Sequence, residues 1–272
     1  MDQFKLLKRD CIETLLQLYK KANAGHIGSS LSCLDILLYL FDQQIKVERG
    51  DQLVLSKGHA AGALYVVLSR FGLLSEDLQS FYQDGTLLAA HPPCTRKIEA
   101  IPFGTGSLGH GLSLATGIAF AQKFESVTTP SQRQKKVFSV LSDGECNEGS
   151  TWEAALFAGH HKLRNLVVCV DANGLQGLGA TRDILDLEPF EAKWKAFNFD
   201  TYVIEDGNNF NQLHEAFQRL ENRSNDQPVC LIARTCKGAG VSFMENQFQW
   251  HYLSMNDQQF QEALREIRES NA

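Results

Sequence analysis

No run of this sequence approaches the roughly 20 apolar residues that a membrane-spanning helix requires, so no membrane segment is expected. Nor is there a basic stripe. The 26 Lys and Arg are scattered among 32 Asp and Glu, for a formal net charge of -6. A phosphate backbone would find nothing to grip, and nucleic acid is not expected as a partner. The seven cysteines are odd in number and form no CxxC pair, which argues against a disulfide framework and marks them as core fillers or bystanders. The opening MDQFKLLKRD has no apolar signal segment, and a reducing cytoplasm is the expected home. None of the eight histidines pairs at HxH, HxxH or HxxxH spacing, so a zinc site is not indicated. Internal repeats and low-complexity tracts are absent as well.

What remains is an ordinary globular composition, 43% hydrophobic over 272 residues, with one pattern running through it. Leu7, Cys11, Leu15 and Leu18 predict a first helix, with Ala24-Gly25 as its glycine cap. A loop "HIGSS" follows, then LSCLDILLYLF as a helix buried on most sides. DQLVLSKG, KKVFSVLSDG, NLVVCVDANG, TYVIEDG and PVCLIART read as strands. Between them, AAGALYVVLSRFG, STWEAALFAGHHKL and FNQLHEAFQRLENR carry helical patterning. Residues 125–136 read as a polar surface loop, and Met255–Ala272 as a charged terminal helix. The expectation is one α/β domain over 1–272, a mostly parallel central sheet flanked by helices. Ligands of such sheets sit at the strands' carboxyl ends, which here read SDGE, DANG, EDGN and RTCKGAG.

Asp143 and Asn173 each follow a strand and precede a glycine. Read singly, each pair is a turn. On neighbouring strands, they would offer one carboxylate and one amide oxygen at a shared edge, which with a backbone carbonyl suits Mg²⁺ or Ca²⁺. A magnesium with so few protein ligands completes its octahedron with phosphate oxygens and water. Ser150-Thr151-Trp152-Glu153 fits a capping box, whose helix N-terminus would favour an anion. Five histidines, His26, His59, His91, His110 and His251, sit beside glycine, proline or a turn, where imidazole can face a cleft and move protons near neutral pH. His160, His161 and His214 lie in helical stretches and read as structural.

The stretch from Ser142-Asp143-Gly144 through Glu148-Gly149 to Asp171-Ala172-Asn173-Gly174 resembles the thiamine-diphosphate motif of the transketolase superfamily. "AGHIGSSLS", "LSKGHA", "AHPP", "GTGSLGHGLS" and "KGAGVSFMEN" followed by Trp250-His251 are similar to transketolase blocks in the family's order, over nearly the whole chain. The resemblance implies a thiamine-diphosphate-binding fold in which Asp143, Asn173 and the Leu175 carbonyl hold the metal. It implies that His59, with His251, lies against the diphosphate; Lys237, in the glycine-rich KGAG loop after a strand, reads either as reaching the diphosphate or as a solvated loop lysine. Gly106 and Gly144 would let the backbone approach the cofactor, and Leu108 would touch its thiazolium. His26, His91 and His251 would handle substrate hydroxyls and protons, while Glu148 would point to a subunit interface, near the carboxylate that activates the aminopyrimidine. The chain resembles the N-terminal half of a split transketolase, inactive without a C-terminal subunit that binds the pyrimidine. The implied assembly is an α2β2 heterotetramer acting on sugars or sugar phosphates. The small residues Gly111, Ala115 and Ala119 would let another helix approach, in that assembly or within the domain. Ser142, His110, Asn208 and Tyr252 depart from the pattern, where glycine, glutamine, histidine and glycine are common. Other readings are a subunit of a 2-oxo acid dehydrogenase or 1-deoxyxylulose 5-phosphate synthase relative, a non-catalytic subunit that binds cofactor, and metal-dependent phosphate chemistry at Asp143 and Glu145.

Overall fold

The computed structural model describes residues 2–94, 97–128 and 134–269. Five strands form one sheet: β1 (Gln52–Leu55), β2 (Val137–Ser142), β3 (Leu166–Ala172), β4 (Asp200–Ile204) and β5 (Val229–Arg234). Every pairing is parallel, in the order β1-β2-β3-β5-β4. The apolar runs that predicted these strands have almost no polar alternation because the sheet is covered on both faces. Along β2, Phe138 and Val140 point into one core, and Val137 and Leu141 into the other.

The first core is closed by α1 (Asp2–Ala22), α2 (Ile27–Tyr39), α3 (Ala61–Arg70), α8 (Phe210–Glu221) and α9 (Asp257–Glu269). The second is closed by α4 (His110–Thr128), α5 (Gly149–His160) and α7 (Phe190–Ala196), with the short α6 (Thr181–Leu185) leading in. Five of the seven cysteines are buried, and Cys94 is exposed. Among the described residues, no helix is long and apolar enough to cross a membrane.

Several local expectations are corrected. Helix α1 ends at Ala22, and Asn23, at φ 48°, takes the left-handed position assigned to Gly25. Gly25 is needed for another reason: a Cβ there would lie 2.6 Å from the Tyr252 carbonyl oxygen. The "loop" HIGSS is already helical from Ile27. No capping box forms at Ser150, because α5 starts one residue earlier, with Glu148 at its N-cap, and the Ser150 hydroxyl donates instead to Gly109 O at 3.0 Å. Residues 125–128 extend α4 rather than joining a loop, while 129–133 and 270–272 lie outside the described residues. The small-residue stripe serves packing within the chain. Ala115 and Ala119 are fully buried against Ala154, Ala155 and Ala158 of α5, and Gly111 sits against the Ser56 side chain.

Candidate active site at the carboxyl edge of the sheet

Ser142 of β2 and Asp171 of β3 are register partners, so the turns that follow are neighbours. Asp143 is buried there. One of its oxygens accepts from Gly144 N at 2.7 Å, and the other from Gly174 N at 2.7 Å and the Thr181 hydroxyl at 3.1 Å. Burial first, and the nearby Asp171 second, push its carboxyl up to about 6. Its donors are all neutral, so a divalent cation would supply the charge this carboxylate lacks. The Asn173 amide oxygen accepts from Leu175 N at 3.0 Å, and its amide nitrogen donates to the Ser32 hydroxyl at 3.0 Å. Asp143, Asn173 and Leu175 line one cavity of about 280 Å³, together with Leu108, Gly144, His59, Lys237 and His251. Carboxylate, amide oxygen and main-chain carbonyl form a hard-cation donor set, and the residues present fit the group.

Beside this cavity stand four imidazoles. Ring centroids of His26 lie 5.1 Å from His251, 5.5 Å from His59 and 6.1 Å from His91, and His59 lies 5.2 Å from His251. His26 is held at φ 73° at the start of α2, its N–H donating to His251 O at 3.0 Å and its carbonyl accepting from Ser29 N and Ser30 N at 3.1 Å. Burial pulls the His26 imidazole down to about 4, with His91, Lys237 and Lys57 adding to the effect. His251 falls to about 3 through burial and then the Lys237 charge. His59 is driven well below its usual value by burial and Lys57, and His91 is lowered by burial. The cluster is therefore uncharged at neutral pH, each ring offering one donor and one acceptor.

Lys237, expected either at the diphosphate or in solvent, is only 2% exposed. Its ammonium lies 3.2 Å from His251 Nδ1, 3.4 Å from Ser29 Oγ and 3.5 Å from the Leu175 carbonyl oxygen. Burial, followed by the Lys57 charge, lowers it to about 8. Among the described residues no carboxylate pairs with it. A buried cation without a counter-ion, in a pocket with a second buried lysine, is a place for an anion.

Four of the expected residues stand apart from this cavity. His26 and His91 belong to the imidazole cluster beside it. Gly106 sits against His91, where a Cβ would meet the ring at 3.6 Å, an ordinary contact. Glu148 is exposed, and its side chain packs against Gly109. Gly144 is crowded by Gln176, whose Cγ would lie 2.9 Å from an added Cβ. His110, at the start of α4, does not line the cavity. Tyr252 does, and its hydroxyl closes on Gly177. Ser142, in place of glycine, accepts Glu145 N at 3.2 Å and so completes the turn.

Two buried charges, Lys57 and Asp171, have no role assigned from the sequence, and a third, Glu145, has only that of a carboxylate in metal-dependent phosphate chemistry. Lys57 and Asp171 are 1% and 0% exposed and form an ion pair; the lysine also donates to Ser29 O at 3.1 Å. Asp171 further accepts from the Ser32 hydroxyl at 2.7 Å and from the Thr235 hydroxyl. Despite burial, which disfavours the ammonium, Asp171 and its neighbours hold Lys57 above its usual value. The only signal in the sequence was a charge closing an apolar strand, VVCVDA. Glu145 does not stand with Asp143 as a metal-site carboxylate. It is fully buried, outside the cavity, accepting from the Ser56 hydroxyl, from Gly109 N at 2.8 Å and from Ser142 N at 3.4 Å. Glu145→Ala strands these donors and is expected to cost about 2–3 kcal/mol in chemical denaturation; a surface-like change below about 0.5 kcal/mol would contradict this geometry.

Residues 8–268 match the family model described as "Transketolase, thiamine diphosphate binding domain". The chain belongs to the transketolase family. It is 36% identical to a subunit of the apulose-4-phosphate transketolase of Phocaeicola vulgatus, over 94% of this chain and 90% of that protein. It is 34% identical to the "6-deoxy-6-sulfo-D-fructose transketolase subunit SqwG" of a Clostridium species, over 93% and 91%. Both names describe a subunit. The human transketolase is 31% identical over 93% of this chain but only 40% of its own length. The solved transketolase from Leishmania mexicana superposes with a TM-score of 0.82 at 21% identity, over 98% of this chain and 45% of that one, a likeness of fold. The chain thus corresponds to an N-terminal transketolase subunit; it spans less than half the length of the Leishmania protein.

Proposed function

We propose that this chain is the cofactor-holding subunit of a two-subunit transketolase, moving a two-carbon ketol unit from a ketose or ketose phosphate to an aldose acceptor. The observation that carries the reading is the single cavity in which a hard-cation donor set, an unpaired buried lysine and neutral imidazoles meet. Asp143, Asn173 and the Leu175 carbonyl would hold Mg²⁺ or Ca²⁺. Lys237, His59 and His251 would face the diphosphate of thiamine diphosphate, Leu108 its thiazolium, and Gly106 and Gly144 its close approach. Bound thiamine diphosphate supplies the electron sink for cleavage beside a ketose carbonyl. This chain's own residues orient the substrate: His26, with the rings of His251 and His91 centred 5.1 and 6.1 Å from its own, acts with them, all uncharged, to give and take hydroxyl protons without first losing a charge.

The exposed position of Glu148 at the head of α5 supports a role toward a partner subunit bearing the pyrimidine-binding half. The subunit names of the relatives support the same division. An α2β2 heterotetramer in the cytoplasm, with no nucleic acid or membrane partner, follows from this reading. Calorimetric titration of the two-subunit complex with thiamine diphosphate and Mg²⁺ tests it. Asp143→Ala is expected to weaken this binding by more than about 100-fold, above the 10–100-fold typical of groups that merely support metal ligands. Equal binding with and without Mg²⁺, or by Asp143→Ala, would remove the metal site. With the partner present, turnover of a ketose phosphate and not of a 2-oxo acid is expected; the reverse preference would refute the transketolase assignment.

A further inference from the structure

Asn208, in the turn between β4 and α8, is tied into the fold more closely than a loop residue need be. Its amide nitrogen donates to Asp35 Oδ2 at 2.9 Å and to Ser32 O at 3.2 Å, and its amide oxygen accepts from Cys236 N at 2.8 Å. Asp35 is fully buried on α2. Its Oδ2 also pairs with Lys8 of α1 at 2.8 Å, and its Oδ1 has no partner. One residue past Cys236 comes Lys237, and one further, Gly238 N donates to Gly28 O of α2 at 3.0 Å. The main chain on both sides of Lys237 is thus fastened to α2, once directly and once through Asn208. The same helix carries Ser29, whose hydroxyl lies 3.4 Å from the Lys237 ammonium, and starts next to His26.

We propose that Asn208, braced by Asp35, is a positioning residue that sets where the Lys237 ammonium sits in the cavity. The inference rests on the functional reading above, in which Lys237 faces the cofactor diphosphate. Without the Asn208 oxygen, Cys236 N loses its acceptor, and the loop keeps only the Thr235–Ser32 hydroxyl contact at 3.2 Å before it and the Gly238 contact after it to hold it against α2. The long Lys237 side chain amplifies that freedom at its tip, away from His251 and Ser29. Histidine at 208 preserves the function, since a neutral imidazole has one donor for Asp35 and one acceptor for Cys236 N. Alanine has neither.

The test is a double-mutant cycle on the full chain in complex with its C-terminal partner subunit, titrated with thiamine diphosphate in Mg²⁺. Asn208→Ala is expected to weaken binding about 10-fold, as losses of groups supporting ligand-binding residues do, and Asn208→His to restore it to within about 3-fold of the parent on the same scale. In a Lys237→Met background, where no ammonium remains to be placed, Asn208→Ala should change the affinity by less than about 2-fold. A merely structural role would give the same factor in both backgrounds, and that result overturns the inference, as does full-strength binding by Asn208→Ala. If the alanine variant does not fold, Asn208→Ser, which keeps a short polar side chain, takes its place in the cycle. A parent complex that binds no thiamine diphosphate overturns the functional reading and this inference together. Binding by the parent that is untouched at position 208 overturns this inference alone.

Discussion

Lys57→Met is expected to destabilise the fold by about 3–5 kcal/mol, the cost of leaving one half of a buried ion pair behind. Asp171, with no exposure at all, would keep only the Ser32 and Thr235 hydroxyls as partners. Lys57→Met with Asp171→Leu should recover much of the loss, since both desolvation penalties then vanish. Urea denaturation at pH 7 of the two variants beside the parent measures this. A loss below about 1 kcal/mol, the range of exposed pairs, would mean that the pair does not behave as two buried charges. Ser29 O accepts from the same lysine, so the single variant should also loosen the first turn of α2 beneath the imidazole cluster. Stability and catalysis share a support here.

In the complex with its partner subunit, His26→Ala and His251→Ala are each expected to lower turnover by about 10²–10⁴-fold, the span of a positioned proton-transfer group. Unchanged turnover would instead support a subunit that binds cofactor without taking part in chemistry. The pH dependence carries a second signature. In the folded chain His26 is lowered to about 4 and His251 to about 3, against 6.5 for an unperturbed imidazole. The depressed values make the neutral rings a source of stability that is fully present above pH 6.5, where the unfolded chain also leaves them neutral. Between pH 6.5 and about 4 the unfolded chain takes up protons that the folded chain refuses, so stability falls as the pH drops and is lost through the folded values. Proton NMR titration of the imidazole carbons reads this directly: no inflection near pH 6.5 is expected for these two residues, and one there would refute the neutral cluster.

The sheet was legible because its strands announce themselves. Runs such as VVCV and VCLIA are too apolar and β-branched to face water on either side, and glycine turns close them. That same regularity brings Asp143 and Asn173, each one turn past such a strand, to one edge of the sheet. Residues whose meaning depends on a partner far away in the chain were not legible. Glu145 reads as one more acid on a turn until Ser56 and Gly109 are seen to surround it. Lys57 lies 114 residues from Asp171, and nothing local reports that distance closing to an ion pair. The Ser150 capping box failed for a related reason: a tertiary acceptor, Gly109 O, competed successfully for the hydroxyl. The small-residue stripe on α4 was ambiguous because close packing looks the same in sequence whether the neighbour is one's own chain or another's.

The left-handed backbone at His26 sets folding against chemistry at a single position. A side chain with a Cβ pays about 1–2 kcal/mol to adopt that conformation, and glycine would adopt it freely. Selection for stability alone would therefore erode the histidine toward glycine, and the imidazole stands there against the preference of its own main chain. The peptide bonds on either side are committed to the turn, with His251 O and Ser29 N already engaged, so the ring cannot be moved elsewhere by relaxing the loop. A protein engineer seeking a more heat-tolerant chain would meet at residue 26 an improvement that has to be declined.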